Sequence, residues 1–340
     1  MKIVFDLGHP AHVHYFRNII QYLKSKNHQV IVFARDKEVT HQLLEAYKIP
    51  YTSRGAGNTS ALGKFLYMLK MDWFFFRKLR KEKVDLFVGF ASPYAAQTAW
   101  LLGCKSITID DTDQAHISHQ FYKHFTTQIL TPAVFDKDLG VKHERFNSFM
   151  ELSYLHPKYF TPDKDIYQIL GIEANTPYAL IRFVSWQANH DWGHGGMSPE
   201  IKQTLVDLLS KKYRVFISAE GSLSEEFQKY KLKIPVHKMH DVLAGASLYV
   251  GEGATMASEC AMLGIPAVYV NSLSSGTLRK QAEYGLLYEF GNTNGLVDFV
   301  TELIANEGLS ELHTKRKETF LSEHIDPNKF LIEYIEKKVV

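Results

Sequence analysis

Four short stretches, with a fifth loop at Ser275 and Gly276, gather the residues able to do chemistry. GHPAHVHYFR, Gly8 to Arg17, sets His9, His12 and His14 directly after the apolar run KIVFDL. An imidazole with a pKa near ~6.5 can take a proton from a hydroxyl at neutral pH, and His12 stands where a helix should begin, so it is a candidate base. Gly8, His9 and His14 are candidate contacts to the same ligand. DDTDQAH crowds Asp110, Asp111 and Asp113 ahead of His116. Like charges repel, so at least one carboxyl is expected to hold its proton towards neutrality; Asp111 and Asp113 are the catalytic candidates, and His116 a substrate contact. RFVSWQANHDWGHGG offers Arg182 and Ser185 as phosphate contacts and Asn189 and His190 as sugar contacts. SLYVGEGATMASECAMLG reads as strand, glycine turn and helix, with the main-chain N–H groups of Gly253, Ala254 and Thr255 free to hold an anion. Glu259 lies about one and a half turns further on, and helical side chains lean towards the N-terminus, so its carboxylate can accept from two vicinal ribose hydroxyls. Ser275 and Gly276, within SSGT, form another candidate phosphate or sugar loop.

Each has a plain structural alternative: the histidines as helix caps or padding, the aspartates as a solvated capping turn, the serines as an N-cap. A metal site is not assigned. H-x-x-H-x-H lacks a carboxylate or cysteine partner of a recognised pattern, His190-Asp191 is a weak pair, and no D-x-D follows an apolar strand.

These loops need a scaffold, and the chain alternates short apolar runs with longer helical patterns, which predicts parallel sheets covered by helices on both faces. Strands are expected at 2–7, 29–34, 84–90, 106–110 and 128–132, and in a second series at 178–184, 214–218, 247–251 and 265–270. A stretch without strand signals, marked by Pro157, Pro162 and Pro177, makes 156–177 a linker. Ligands bind beyond the carboxyl ends of such strands, where all four stretches fall.

The 340 residues are enough for two domains. Thirty-nine Lys and Arg against 37 Asp and Glu argue against a nucleic-acid surface. Cys104 and Cys260 sit in apolar surroundings, as free thiols do in a reducing compartment, and no leader pattern precedes the first strand. A cytoplasmic protein is expected. Residues 62–83 mix Leu, Phe, Trp and Tyr with seven Lys and Arg. The segment reads as a core helix whose basic residues face water, with a membrane-surface helix at the inner face of the membrane as the alternative.

GATMASE followed by CAMLGIPAV resembles the donor-nucleotide signature of GT-B glycosyltransferases, with a spacing close to that of MurG-type transferases and UDP-N-acetylglucosamine 2-epimerases. DLGHPAHVHYFR, DDTDQAH and NHDWGHGG resemble a family of uncharacterised bacterial and archaeal proteins assigned to that superfamily. The resemblance implies a GT-B fold of two Rossmann-like domains facing across a cleft. An acceptor domain would span 1–160 and a nucleotide-sugar domain 161–325, with a terminal helix at 326–340 packing back on the first. It implies that Gly253, Ala254 and Thr255 hold the diphosphate and Glu259 the ribose. The activity implied is metal-independent hexosyl transfer from a nucleotide-sugar, a UDP-sugar first, to a cell-surface glycan, lipid-linked or small-molecule acceptor, as in cell-envelope polysaccharide biosynthesis. No cofactor is expected. The base would be His12 or a member of the aspartate cluster. A 2-epimerase using Asp113 and His190 is the runner-up, lowered because GHPAH stands where those enzymes carry an arginine. A nucleotide-sugar-binding protein without catalysis is the third reading.

Overall fold

The computed structural model describes residues 1–58, 60–113, 115–184, 196–219 and 221–338. The chain runs β1 (Lys2–Leu7), α1 (Pro10–Ser25), β2 (Gln29–Ala34), α2 (Thr40–Ala46), β3 (Thr52–Ser53), α3 (Ala61–Leu79), β4 (Leu86–Phe90), α4 (Pro93–Leu102), β5 (Lys105–Ile109), α5 (His116–Tyr122), β6 (Gln128–Pro132), β7 (His143–Phe146) and α6 (Leu152–Leu155). It continues through α7 (Ile166–Leu170), β8 (Tyr178–Phe183), α8 (Pro199–Ser210), β9 (Arg214–Ala219), α9 (Met239–Gly245), β10 (Leu248–Gly251), α10 (Ala254–Leu263), β11 (Ala267–Val270), α11 (Gly276–Glu283), β12 (Leu287–Phe290), α12 (Leu296–Ala305), α13 (Leu309–Glu323) and α14 (Pro327–Lys338).

Two compact units result: one from Met1–Tyr154 with the chain from Ile325 onward, the other from Leu155–His324. In the first, seven parallel strands lie in the order β3-β2-β1-β4-β5-β6-β7. The order reverses between β1 and β4. In the second, five parallel strands lie in the order β12-β11-β10-β8-β9, and the reversal falls between β8 and β10. Such switch points leave a crevice beyond the strand ends, where loops diverge to opposite faces. The loops after β1 and β4, and after β8 and β10, occupy those positions.

The strands read from sequence are all present with small shifts at their ends. Three more appear: β3 is two residues long, while β7 (HERF) and β12 (LYEF) are sheet edges whose polar residues hide the apolar signal. The central strands are the apolar ones because parallel sheets are covered on both sides; β4 is buried at all five positions. In the first unit Phe33 meets Phe75 edge-on at 4.7 Å over Val4 and Phe87. In the second, Ile181, Leu205, Val250 and Val268 form the centre of the core.

The terminal helix α14 belongs to the first unit. Asn147 O accepts from Ile325 N at 3.0 Å, Asn328 Nδ2 donates to Ser153 O at 2.7 Å, and Phe330 stacks on Phe146 at 5.2 Å. Cys104 and Cys260 are both free thiols. Among the described residues, no helix is long and apolar enough to cross a membrane.

Candidate functional site

The β1 end of the first unit begins with a buried charge. Asp6 closes an apolar strand at 1% exposure, so it needs partners. Arg54 Nε donates to its Oδ1 at 2.7 Å and Ser92 Oγ to its Oδ2 at 2.5 Å. Ser92 also caps α4, accepting from Ala95 N at 3.2 Å, and Arg54 lies over the Tyr94 ring at 5.0 Å. The loops after β1, β3 and β4 are thereby tied to one another. A Cβ on Gly8 would stand 3.3 Å from an Arg54 terminal nitrogen, so the glycine leaves that guanidinium room.

The three histidines separate by role. His9 is the N-cap of α1, its Nδ1 accepting from Ala11 N at 3.2 Å ahead of Pro10. Burial and the nearby Lys37 push its pKa down to about 4. His14 is buried, with its ring 5.3 Å from Tyr154. Both are employed by the fold, where the sequence reading made them ligand contacts. His12 is different: its ring packs on Phe90 at 4.7 Å, and Gly8 N donates to its Nδ1 at 3.1 Å. Burial, with His9, Arg54 and Lys37 nearby, holds its pKa well below 6.5, so the ring is neutral. A neutral imidazole accepting at Nδ1 carries its hydrogen on Nε2. His12 is therefore set to donate a hydrogen bond, and the base role read from sequence is not one this tautomer performs.

The aspartates divide in the same way. Asp110 accepts from Thr112 N at 2.9 Å and from Tyr122 OH at 2.7 Å, and Asp113 accepts from Asp136 N at 2.8 Å. These two brace the loop. Asp111 accepts only the Thr112 hydroxyl, at 3.1 Å, among the bonds described. Burial and the neighbouring Glu151, Asp110 and Asp113 push its pKa up to about 8. The raised pKa favours the protonated form of Asp111 at neutral pH, while Asp113 serves as a brace. His116, at the start of α5, is exposed beside the Lys137 ammonium.

In the second unit, α10 opens at Gly253 with no side-chain cap. Among the described residues, no acceptor faces the N–H groups of Gly253, Ala254 or Thr255, and Ala254 and Thr255 are exposed. Arg182 lies alongside. A Cβ on Gly253 would stand 3.2 Å from Arg182 Cγ, and one on Gly251 would stand 2.7 Å from Arg182 Cβ and 2.9 Å from Arg182 O. The two glycines let the arginine pass, with its Nη1 donating to Ser218 Oγ at 2.7 Å. Helix amides and a guanidinium thus come together at the β8/β10 switch point, an arrangement suited to an anion. Gly251→Ala has to push backbone apart and is expected to cost about 1–3 kcal/mol of stability, seen as a lower urea midpoint of unfolding; an unchanged midpoint would contradict this packing.

Glu259 is 6% exposed, and its Oε1 lies 3.0 Å from His240 Nε2. It is a buried partner of His240 in the structure, where the sequence reading had it open to a ribose. Ser275 is the N-cap of α11, accepting from Leu278 N at 3.3 Å, and Gly276 is buried. That loop serves its own helix. Ser185, Asn189 and His190 lie outside the described residues. Beside Ser218, a hollow of about 140 Å³ is lined by Ile217, Leu232, Val236 and Met239. Among the described residues, no three His, Cys, Asp or Glu side chains group to hold a metal ion.

Sequence reasoning missed Glu252. Fully buried between the two glycines, it accepts from Val184 N at 2.8 Å through Oε2 and from Met197 N at 2.6 Å through Oε1. One carboxylate therefore grips both stems of the 184–197 segment. A charged residue inside a glycine turn was the available signal.

Two doubly wound parallel sheets, each with polar loops at its switch point, match the GT-B fold. The chain belongs to the family described as "Protein of unknown function (DUF354)", which matches residues 1–335. A relative is an uncharacterised protein of Methanocaldococcus jannaschii, 21% identical over 278 residues, covering 79% of this chain and 81% of its own. Among solved structures, the UDP-GlcNAc 2-epimerase of Neisseria meningitidis bound to UDP-GlcNAc superposes with a TM-score of 0.72 at 13% identity, covering 99% of this chain and 100% of that one. The glycotransferase of kitacinnamycin gives 0.65 at 12% identity, covering 99% and 98%. These likenesses show the fold. Its neighbours are glycosyltransferases and nucleotide-sugar epimerases.

Proposed function

We propose that this protein transfers a sugar from a nucleotide-sugar, with UDP as the first candidate carrier. The observation that carries the reading is the uncapped start of α10 beside Arg182. There the diphosphate would receive the N–H groups of Gly253, Ala254 and Thr255, helped by the positive end of the helix dipole. The guanidinium would neutralise charge as the diphosphate leaves. The hollow beside Ser218 would take the base, and a ribose would share Glu259 with His240.

In the first unit, Asp111 would take the proton of the acceptor hydroxyl once ionised, and His12 Nε2–H would orient the acceptor by donation. Direct attack would invert the anomeric carbon. Neutralising the diphosphate with amides and a guanidinium would require no cofactor. The neighbours described with UDP or UDP-sugar support nucleotide-sugar binding.

A second reading, epimerisation at C2 of the sugar, is favoured by the 0.72 superposition on an epimerase. It needs two proton-transfer groups, and the Asp113 expected for it is held by Asp136 N–H. Incubation with UDP-GlcNAc in D2O separates the two readings, because removal of the C2 proton incorporates deuterium and sugar transfer does not.

The binding step is tested by thermal shift with UDP-, GDP-, CMP- and dTDP-sugars, since a ligand that binds the folded state raises Tm. Arg182→Met keeps the stem that packs on the glycines and removes the guanidinium. It is expected to weaken binding of the responding nucleotide about 10- to 100-fold, the range of a lost charge-assisted hydrogen bond. Equal affinity in the variant, or no response to any donor, would overturn the reading.

A further inference from the structure

We propose that the outer face of α3, with the adjoining turns of α4 and α5, docks on an anionic bilayer. Met68, Met71, Phe75 and Leu79, spaced i, i+3, i+7 and i+11, point into the core. Leu62, Phe65, Leu66, Leu69 and Trp73 repeat that spacing and remain outside, with Leu62 70%, Leu66 56% and Trp73 60% exposed. The helix therefore carries two apolar stripes, and only one is covered. The helix does cover a core with one face and turn its basic residues to water, as the sequence suggested, but the outer face also carries an apolar stripe.

Single exposed apolar residues are ordinary, but an aligned row about 16 Å long on one helix is not. The neighbouring helices extend it. Gln97 of α4 lies 3.7 Å from Met68 Sδ and donates to Phe121 O of α5 at 3.1 Å, which joins the three helices at mid-height. One turn beyond Gln97, Trp100 and Leu101 are 62% and 50% exposed, and on α5 Ile117 is 76% exposed.

Charge identifies the occupant. Lys64, Lys70, Arg77, Lys78, Arg80, Lys81 and Lys83 are all exposed along or just beyond α3. Asp72 is the one acid within the helix, and burial pushes its pKa up to about 7, while Glu82 pairs with Lys2. The segment is far more basic than the chain, whose net charge is +2. Apolar and aromatic residues interleaved with lysines and arginines on an in-plane helix match a headgroup boundary, with anionic lipids supplying the counter-charge. A second copy of this chain would bring the same basic face against itself.

The inference deepens the transferase reading, and rests on it in one respect: it names a lipid-linked acceptor as the substrate class. α5 follows the Asp110–Asp113 loop directly, so the apolar face begins at Ile117, six residues along the chain from Asp111.

The test is co-sedimentation of the full chain with vesicles of phosphatidylglycerol and phosphatidylcholine, against phosphatidylcholine alone. The expected result is binding to the anionic vesicles that weakens with salt. Leu66→Glu/Trp73→Glu should reduce the partition about tenfold or more, and Lys70→Glu/Arg77→Glu should do the same, both with unchanged melting temperature. No binding to anionic vesicles, or equal binding by parent and both variants, overturns the proposal. So does a concentration-dependent dimer, abolished by Leu66→Glu/Trp73→Glu, in a protein that ignores vesicles. A thermal shift with UDP run in parallel separates the two readings. Vesicle binding without a nucleotide response sustains the docking surface and sinks the donor site, and the converse result sinks only the docking surface.

Discussion

Asp111→Asn is expected to lower nucleotide-sugar turnover about 10²- to 10⁴-fold, the usual contribution of a positioned acid or base, and to leave nucleotide affinity unchanged. The substitution keeps the size of the side chain and removes its proton exchange. In the parent, a carboxyl pushed up to about 8 must ionise before it can accept a proton, so kcat/KM should rise with pH and level off above about 8. The same shift acts on stability, with a definite sign. Between pH about 4 and about 8 the folded protein retains a proton that the unfolded chain has released, so stability falls as pH rises through that window. A carboxamide at this position does not titrate. The variant should gain on the parent between pH 5 and pH 8 in urea midpoints, and a gap that fails to widen would show that the carboxyl is ordinary. Asp72, pushed up to about 7, slopes the same way in both proteins and cancels in the comparison.

Glu252→Ala should be among the most destabilising single changes in the second unit. It leaves the buried Met197 N–H and the half-buried Val184 N–H without their acceptor; an unsatisfied buried donor costs about 1–3 kcal/mol, so about 1–3 kcal/mol is expected from Met197 with a smaller addition from Val184. Lys202, whose Nζ lies 3.6 Å from Oε2, would also lose its counter-charge. Glu252→Gln retains one accepting oxygen and turns an NH2 group towards the other N–H, so it should fall between parent and Ala. A Cm for Glu252→Ala within error of the parent would remove the clamp from the account. If the 184–197 segment contributes to the donor site, both variants should also weaken the thermal shift with the nucleotide.

The central strands were legible because parallel sheets demand unbroken apolar runs, and KIVFDL, VDLFVGF and YALIRFV supply them. The edges β7 and β12 were not, since half their residues face water and their letters resemble loop. Gly253, Ala254 and Thr255 could be placed at the start of α10 from glycine spacing alone, because the turn and the helix start are local events. The roles of His12 and Asp111 were not local. The tautomer of His12 depends on a main-chain bond from Gly8, and the raised pKa of Asp111 comes first from burial and then from Glu151, forty positions later. Nor could letters show that Arg54 answers the charge on Asp6, although a carboxylate ending an apolar strand announces that something must.

The first unit is finished by α14, while the second is continuous from Leu155 to His324. On a ribosome adding about 5–20 residues per second, the inner unit emerges whole while the outer one still lacks its closing helix for roughly ten seconds or more. Over that interval the backs of Phe146 and Ser153 wait for Phe330 and Asn328, which makes them natural targets for chaperones. Maturation of the polypeptide should therefore run out of chain order, with the first unit last.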